Sequence, residues 1–140
     1  MGLLSTLKEF FSKKSIESLK EFETELIKLQ KKSNSEIIAL MGTGGRLKGL
    51  PLIYVANEEA DLKRYAARIA ELIGPLNNLS NEQSIKDVII RFETSYLFYI
   101  PLLKNVSFFA ITPHKHDLLS LQQWVTNNNS IIQELFREKT

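Results

Sequence analysis

The pattern of apolar and polar residues is most regular between residues 84 and 112. Three short apolar runs, rich in β-branched and aromatic side chains, follow each other there at 87–92, 96–100 and 106–111. Brief polar breaks at 93–95 and 104–105 separate the runs. This spacing predicts a three-stranded antiparallel meander. Helical patterns lie on both sides of the meander, so we expect an α+β domain.

Two further strands are predicted before the meander, at 36–41 and 50–55. The connection between them runs from Gly42 to Gly49 and is rich in glycine, which accepts positive φ at little cost. Pro51 has no backbone N–H to donate, so we expect it at the start of the second strand or on an edge of the sheet.

Helical periodicity predicts a helix that Ser15 can cap and that runs to about residue 32, because apolar residues recur there every three or four positions. Propensity leaves open whether the helical pattern of the first 14 residues joins this helix through residues 13–15. A second helix is predicted after Asn57 as its N-cap, and we expect Gly74 and Pro75 to end or kink it. The apolar residues of this second helix span an arc of roughly 160°, which exceeds a single sheet-facing stripe.

The last helix is predicted to begin at Asp117, which we expect to act as its cap. Three consecutive asparagines at 127–129 are expected to interrupt it. A short final helix should then follow Ser130, which has capping-box spacing to Gln133.

An apolar face is predicted in the first 14 residues, where five side chains fall at helical spacing: Leu3, Leu4, Leu7, Phe10 and Phe11. Its docking site could be a groove on the domain itself, a partner subunit or a membrane surface. Lys8, Lys13 and Lys14 favour anionic lipid. We expect docking on protein, because the face is narrow and the basic excess is small.

Composition narrows the possible functions. The chain has 140 residues, enough for one ordinary domain. It contains no cysteine, which excludes disulfides and thiolate metal sites. The formal net charge of +2 is too weak to indicate a nucleic-acid partner. Nothing suggests secretion, so we expect a cytoplasmic protein with at most peripheral contact with a membrane.

Two short motifs resemble chemical sites. The glycine-rich connection lacks the Gly-Lys-Ser/Thr ending of a phosphate-binding loop, because Gly49 follows Lys48. His114, His116 and Asp117 bring imidazoles and a carboxylate together, but the sequence has no further histidine or cysteine to complete a zinc site. We therefore predict no catalytic residues, no cofactor and no metal. The aromatic residues of the meander are expected to pack in the core or at an interface.

The element order, together with the segments 61–69, 89–97, 100–102 and 105–110, resembles the roadblock family of dynein-light-chain-like domains that accompany small GTPases. The resemblance covers roughly residues 15–125. It implies a single roadblock/longin-like (profilin-like) domain with a five-stranded antiparallel sheet flanked by helices. The related longin fold has nearly the same element order. The connection at 42–49 is longer and more basic than in the family, so we expect an irregular or flexible hairpin there.

The resemblance also implies the domain plan and the function. We expect an amphipathic helical appendage at 1–14, a roadblock-like domain at 15–126 and a short C-terminal helix at 127–140. The implied function is a non-catalytic scaffold or regulator that docks a Ras-like small GTPase. The alternative is a ligand-binding or sensory module of a PAS or profilin-like type, which would need a polar-lined cavity.

A homodimer is expected, because the second helix has more apolar arc than one sheet covers and the strand at 87–92 would otherwise be an unprotected edge. In roadblock families the equivalent helix and strand pair across a two-fold axis. This implies a seam at or near five residues: Ala66, Ala67, Ala70, Val88 and Ile90.

Overall fold

The computed structural model describes residues 13–136, with side chains from residue 19 onward. The helices are α1 (Lys13–Ser33), α2 (Glu59–Asn77) and α3 (Asp117–Leu135). The strands are β1 (Ile37–Gly42), β2 (Pro51–Ala56), β3 (Val88–Arg91), β4 (Tyr96–Leu103) and β5 (Val106–Thr112). A single 3-10 turn, Gly45–Leu47, lies between β1 and β2. None of these helices is long and apolar enough to cross a membrane.

The five strands form one antiparallel sheet in the order β2-β1-β5-β4-β3. The predicted meander is confirmed, since β3 pairs with β4 and β4 pairs with β5. β1 lies between β2 and β5 and is buried along its whole length, as its continuous apolar run requires. β2 and β3 are the two edges of the sheet. Pro51 begins β2, where its missing N–H is tolerated.

The alternation of side chains along the strands builds a separate core on each face of the sheet. Ile38 and Leu40 of β1 point to the face that α1 and α3 cover. Ile37, Ala39 and Met41 point to the other face, where α2 packs. The sheet is therefore covered by two helices on one side and by one helix on the other.

The predicted starts of α1 and α2 are wrong. Ser15 lies inside α1, which is already helical at Lys13. α2 begins one position after Glu58, and no side chain caps its N-terminus. The Asn57 side chain serves another purpose, because its Oδ1 accepts a hydrogen bond from Gln30 Nε2 at 3.1 Å and so ties the start of α2 to α1.

α2 also continues past its predicted end and includes Pro75. The last turn is held by Leu76, which packs against the core under α2. The apolar face at Leu3, Leu4, Leu7, Phe10 and Phe11 lies outside the described residues and stays a prediction.

The predicted break at the three asparagines is wrong as well, because α3 is continuous and passes through the boundary drawn at residue 127. Asn128 Nδ2 donates to the carbonyl of Trp124 at 2.8 Å, so the amide bonds to its own helix instead of ending it. Beyond the asparagines, Ile132 and Leu135 are buried against the sheet and α1. Their burial holds the final turns in the helix.

The β1–β2 connection is irregular, as expected, with a register shift between Leu40 and Met41. It is not an open hairpin, however. Gly42 N donates to Leu50 O and Gly49 N donates to Gly42 O, both at 2.9 Å, and Thr43 N reaches Asn105 O at 2.9 Å. The loop is therefore folded onto the β4–β5 turn.

Candidate functional site

An apolar groove of about 360 Å³ runs between α2 and the edge strand β3. Its floor includes Leu97 and Tyr99 of β4, which are almost fully buried and pair with Ile90 and Val88 of β3. The groove is lined by Arg64, Tyr65, Arg68, Ile69, Leu72, Ile73, Val88, Ile90, Phe92, Leu97 and Tyr99. β3 has only four residues, whereas α2 has 19, and residues of both elements form the walls of the groove.

Exposed apolar side chains lie both in this groove and on the reverse side of its edge strand. Leu72 on α2 is 43% exposed, Phe92 after β3 is 41% exposed, and Ile89 on the reverse side of β3 is 53% exposed. A contiguous apolar patch on a protein surface marks an interaction site, whereas single exposed apolar residues do not.

The open edge of β3 adds hydrogen-bonding capacity to the apolar surface. Phe92 N donates to Ser95 O at 2.8 Å and closes the β3–β4 hairpin. Backbone groups alternate in direction along an antiparallel strand, so those of Ile89 and Arg91 point away from β4. We call this edge, together with the groove, the α2–β3 face.

Two of the residues predicted at the seam lie in the groove, since Val88 and Ile90 line it. Ala66 is fully buried and Ala70 is 7% exposed, and both belong to the protomer's own core under α2. Their burial leaves little or no surface for a second copy to contact, so the seam we propose excludes them.

Ala67 is exposed and lies on the flank of α2 that faces away from the groove. It is separated from Tyr65, a groove residue, by roughly 200° around the helix. Its neighbour is Gly49, where a Cβ would lie 3.8 Å from the Ala67 Cα and 3.8 Å from the Ala70 Cβ. The backbone that approaches the small-residue flank is thus the chain's own loop.

Sequence reasoning missed the groove residues on the other flank. Tyr65, Arg68 and Leu72 recur at intervals of three and four residues, which places them in one row along α2. This row faces β3, whereas the alanines face the sheet or β2. The spacing of this row is visible in the sequence. The wide apolar arc predicted for α2 did not show, however, which side of the arc lies next to the edge strand.

Charges at the rim of the groove are already paired. Arg64 Nη2 lies 2.7 Å from Asp61 Oδ1, and Arg68 Nη1 lies 3.7 Å from Glu71 Oε2. These side chains are exposed, so each pair contributes little to stability. The groove therefore presents an apolar floor with a balanced rim, which suits a protein partner better than a charged small molecule.

Tyr99 places a phenol in the floor of the groove. Its Oη and Ser107 Oγ are 2.7 Å apart in a buried hydrogen bond. Burial raises the pKa of the Tyr99 phenol, and the bond with Ser107 offsets part of the rise. The hydroxyl is thus neutral and already bonded, so the floor offers apolar contact only.

His114 and His116 stack with ring centroids 5.3 Å apart, and His116 Nε2 lies 3.5 Å from Asp117 Oδ1. Asp117 is buried, and its Oδ2 has no hydrogen-bond partner among the residues described. The predicted capping role of Asp117 is wrong, because the N-cap position is His116 and no side chain bonds there. Among the side chains of residues 19–136, no group of three histidine or acidic residues could hold a metal ion.

The glycine-rich connection offers little to a phosphate. A Cβ at Gly42 would lie 2.0 Å from Leu47 O, and one at Gly44 would lie 2.3 Å from Asn105 Oδ1. These glycines accommodate the chain's own atoms. Several amides of the loop are also spent on internal hydrogen bonds, so they cannot cradle an anion.

A second groove, of about 270 Å³, lies between α1 and α3. It is mostly polar and is lined by Glu25, Lys28, Leu29, Lys32, Ser120, Gln123, Trp124 and Asn127. Trp124 stacks on Phe108, with ring centroids 5.9 Å apart. Phe98, Phe108 and Phe109 are almost fully buried, which confirms core packing for this part of the predicted aromatic cluster.

No family model and no curated protein matches the sequence. Solved structures do match it. Myxococcus xanthus MglB is similar with a TM-score of 0.71 at 12% identity, over 87% of this chain and 95% of that one. An MglB with tetrameric arrangement has a TM-score of 0.64 at 12% identity, over 83% and 88% of the two chains. A Roadblock/LC7 domain from Streptomyces avermitilis has a TM-score of 0.51 at 10% identity, over 66% and 83%.

The chain has a roadblock-type fold. The predicted resemblance is thereby confirmed for the fold, including the five-stranded antiparallel sheet. At identities of 10–12% these matches establish the roadblock architecture and leave partners and activity to be argued from the surface.

Proposed function

We propose that this protein is a non-catalytic scaffold or regulator, which homodimerises through the α2–β3 face and docks a Ras-like small GTPase. The observation that carries the dimer is the combination of an apolar groove with an open strand edge beside it. A second copy brings both complements at once, because its own β3 can pair with the edge and its own α2 can cover the groove.

An open edge with apolar side chains on both sides is a liability for a monomer. Natural sheets protect such edges with charges, proline or a covering element. Here Ile89 and Ile90 point to opposite faces of β3, so neither face of the edge is polar throughout. Pairing with a second β3 would extend one antiparallel sheet through both subunits and bury an interface of standard size.

The GTPase partner is supported by the fold. Roadblock-type domains accompany small GTPases, and a solved MglB with a tetrameric arrangement shows self-association in that protein. For this chain, both properties are proposals. The amides of the β1–β2 loop are engaged in internal hydrogen bonds, and the groove is apolar, so neither feature offers a binding site for nucleotide phosphates. This supports a non-catalytic role in which the partner GTPase binds the nucleotide.

The alternative, a ligand-binding module, has one observation in its favour, which is the polar groove between α1 and α3. Lys28 in that groove is 3.3 Å from Glu25, so part of its charge is already compensated. Trp124 is the only tryptophan of the chain, and its fluorescence would report a ligand bound there. A small-molecule screen that shifts this emission without changing the oligomeric state would favour the alternative.

The GTPase proposal is tested with the purified full chain and the Ras-like GTPases of the same genome, each loaded with GDP or with a non-hydrolysable GTP analogue. We expect saturable binding of one GTPase that depends on its nucleotide state. Binding of none of them would remove the docking proposal.

Nucleotide binding gives a separate test. Calorimetry of the chain alone with GTP or ATP and magnesium should show no binding, and Lys48→Ala should change nothing. Micromolar binding by the chain alone would contradict the non-catalytic role.

A further inference from the structure

Three alternate residues on the reverse side of the β3 edge form a short charged stripe. Val88 and Ile90 pack toward the core under α2. Side chains alternate along a strand, so Ile89 and Arg91 of β3 lie on the opposite face. Asp87 directly precedes β3, and pairing with a second copy that prolongs the strand by this one residue would place its side chain on the same face as Ile89 and Arg91. Among the side chains of residues 19–136, neither Asp87 nor Arg91 forms an ion pair. The stripe thus reads acid, aliphatic, base along an open edge.

Geometry limits how a second copy can pair with this edge. A two-fold axis perpendicular to the sheet makes the two β3 strands antiparallel and keeps each face on its own side. Residues that oppose each other directly across the two strands must then point to the same face of the sheet. The axis therefore passes beside one residue, which opposes the same residue of the second copy, and registers that are shifted from this by a single residue are excluded. Four registers remain, with the axis at Val88, Ile89, Ile90 or Arg91.

Resting on the proposed dimer, we propose that the axis passes through Ile89. Asp87 of each copy then lies directly opposite Arg91 of the partner subunit, which gives two ion pairs by symmetry. On the other face Val88 meets Ile90 of the partner subunit, so aliphatic groups continue the apolar floor of the groove. The stripe is self-complementary in this register.

The other three registers oppose groups that do not match. With Ile90 on the axis, Asp87 faces Glu93 of the second copy. With Arg91 on the axis, two guanidinium groups face each other. With Val88 on the axis, Asp87 faces an aliphatic side chain. Like charges directly opposed across strands destabilise pairing, whereas opposite charges stabilise it. The charges therefore select one register out of four.

Charge reversal on the full-length chain tests this register. Asp87→Arg and Arg91→Asp should each place like charges opposite one another twice per dimer. Each should raise the dimer dissociation constant on the order of tenfold to a hundredfold. A one-to-one mixture of the two variants should recover wild-type affinity as a heterodimer, because each variant supplies the charge that the other lacks. The doubly substituted chain should recover it as a homodimer.

Glu93→Arg is the matched control, since position 93 faces no charge when the axis lies at Ile89. It should leave the dissociation constant unchanged. Tightening by Asp87→Arg or by Glu93→Arg would instead indicate the register centred on Ile90 and overturn the proposal. Equal dimerisation of all variants would also overturn it while leaving the dimer itself intact. A monomeric wild-type chain in sedimentation velocity would overturn the dimer on which the register rests.

Discussion

Gly49 packs against Ala67, and a β-carbon at Gly49 would lie 3.8 Å from the Ala67 Cα. Gly49 has a φ of +80°, a conformation that glycine adopts at little cost. This contact occupies the flank of α2 that faces β2. It leaves the flank with Tyr65 and Leu72 as the one available for a second copy.

Leu72→Glu should convert the dimer to a monomer. The side chain is 43% exposed in the protomer and borders the groove, so a glutamate there would carry its charge into an apolar interface. We expect a loss of dimer affinity of about a hundredfold. Sedimentation velocity over a concentration series measures it. Ala67→Glu is the matched control on the opposite flank and should remain dimeric. Loss of the dimer with Ala67→Glu instead would return the seam to the alanine stripe.

Ser107→Ala should destabilise the fold by about 1–3 kcal/mol, because it leaves the buried Tyr99 hydroxyl without its partner. Tyr99→Phe combined with Ser107→Ala should cost clearly less than Ser107→Ala alone, since both polar groups are then gone. Urea unfolding of the three variants tests the difference. Equal costs would show that another group satisfies the phenol.

The same tyrosine gives a prediction about pH. Burial raises the pKa of Tyr99 in the folded state above its ordinary value of 10.0. Its stabilising contribution is therefore fully present below pH 10.0 and is lost as the pH rises from there through the folded-state pKa. Tyr99→Phe should show a shallower alkaline decline in the free energy of unfolding than the wild type. Identical slopes above that pH would contradict the assignment.

Gly42→Ala should be far more damaging than Gly44→Ala. At Gly42 the new methyl group would lie 2.0 Å from the backbone oxygen of Leu47, which can move only if the loop moves. At Gly44 it would meet the Asn105 side chain, which can rotate away. We expect about 2 kcal/mol or more for Gly42→Ala and at most about 1 kcal/mol for Gly44→Ala. Thermal unfolding of the two variants decides, and equal losses would show that the loop yields.

Deleting residues 1–14 should leave the remaining domain folded and dimeric, because residues 19–136 supply an apolar core on each face of the sheet and the whole lining of the α2–β3 groove. Flotation of the full chain with anionic liposomes should show little binding if the apolar face docks on protein. Strong flotation that disappears on deletion would establish a membrane-recruited protein instead.

The elements were predictable because their signals are local. The runs at 36–41 and 106–111 became central, fully buried strands, and the alternation from 87 to 92 became a half-covered edge. The helix ends were not predictable in the same way, because contacts between distant parts of the chain override capping preferences. Asn57 bonds to Gln30 instead of capping α2.

The seam stays a prediction, but the positions of its five residues in the fold can be compared with the sequence pattern. Val88 and Ile90 lie where the open edge implied they would, lining the groove. The alanines of α2 suggested that another stretch of backbone packs closely against the helix, and one does. A stripe of small residues does not show, however, whether that backbone belongs to a second copy or to the same chain. Only the path of the loop that ends at Gly49 settles it.

The strand order has a consequence for how the chain comes into being on the ribosome. Thr112 Oγ1 donates a hydrogen bond to the carbonyl oxygen of Ser33, 79 residues earlier in the chain. β1 pairs with β2 on one side, and its neighbour on the other side is β5, the last strand of the sheet. Until that last strand has been synthesised, β1 carries an apolar edge that nothing in the nascent chain can cover. Truncated chains that lack the C-terminal third, and with it β5, should therefore form insoluble product instead of a smaller folded domain.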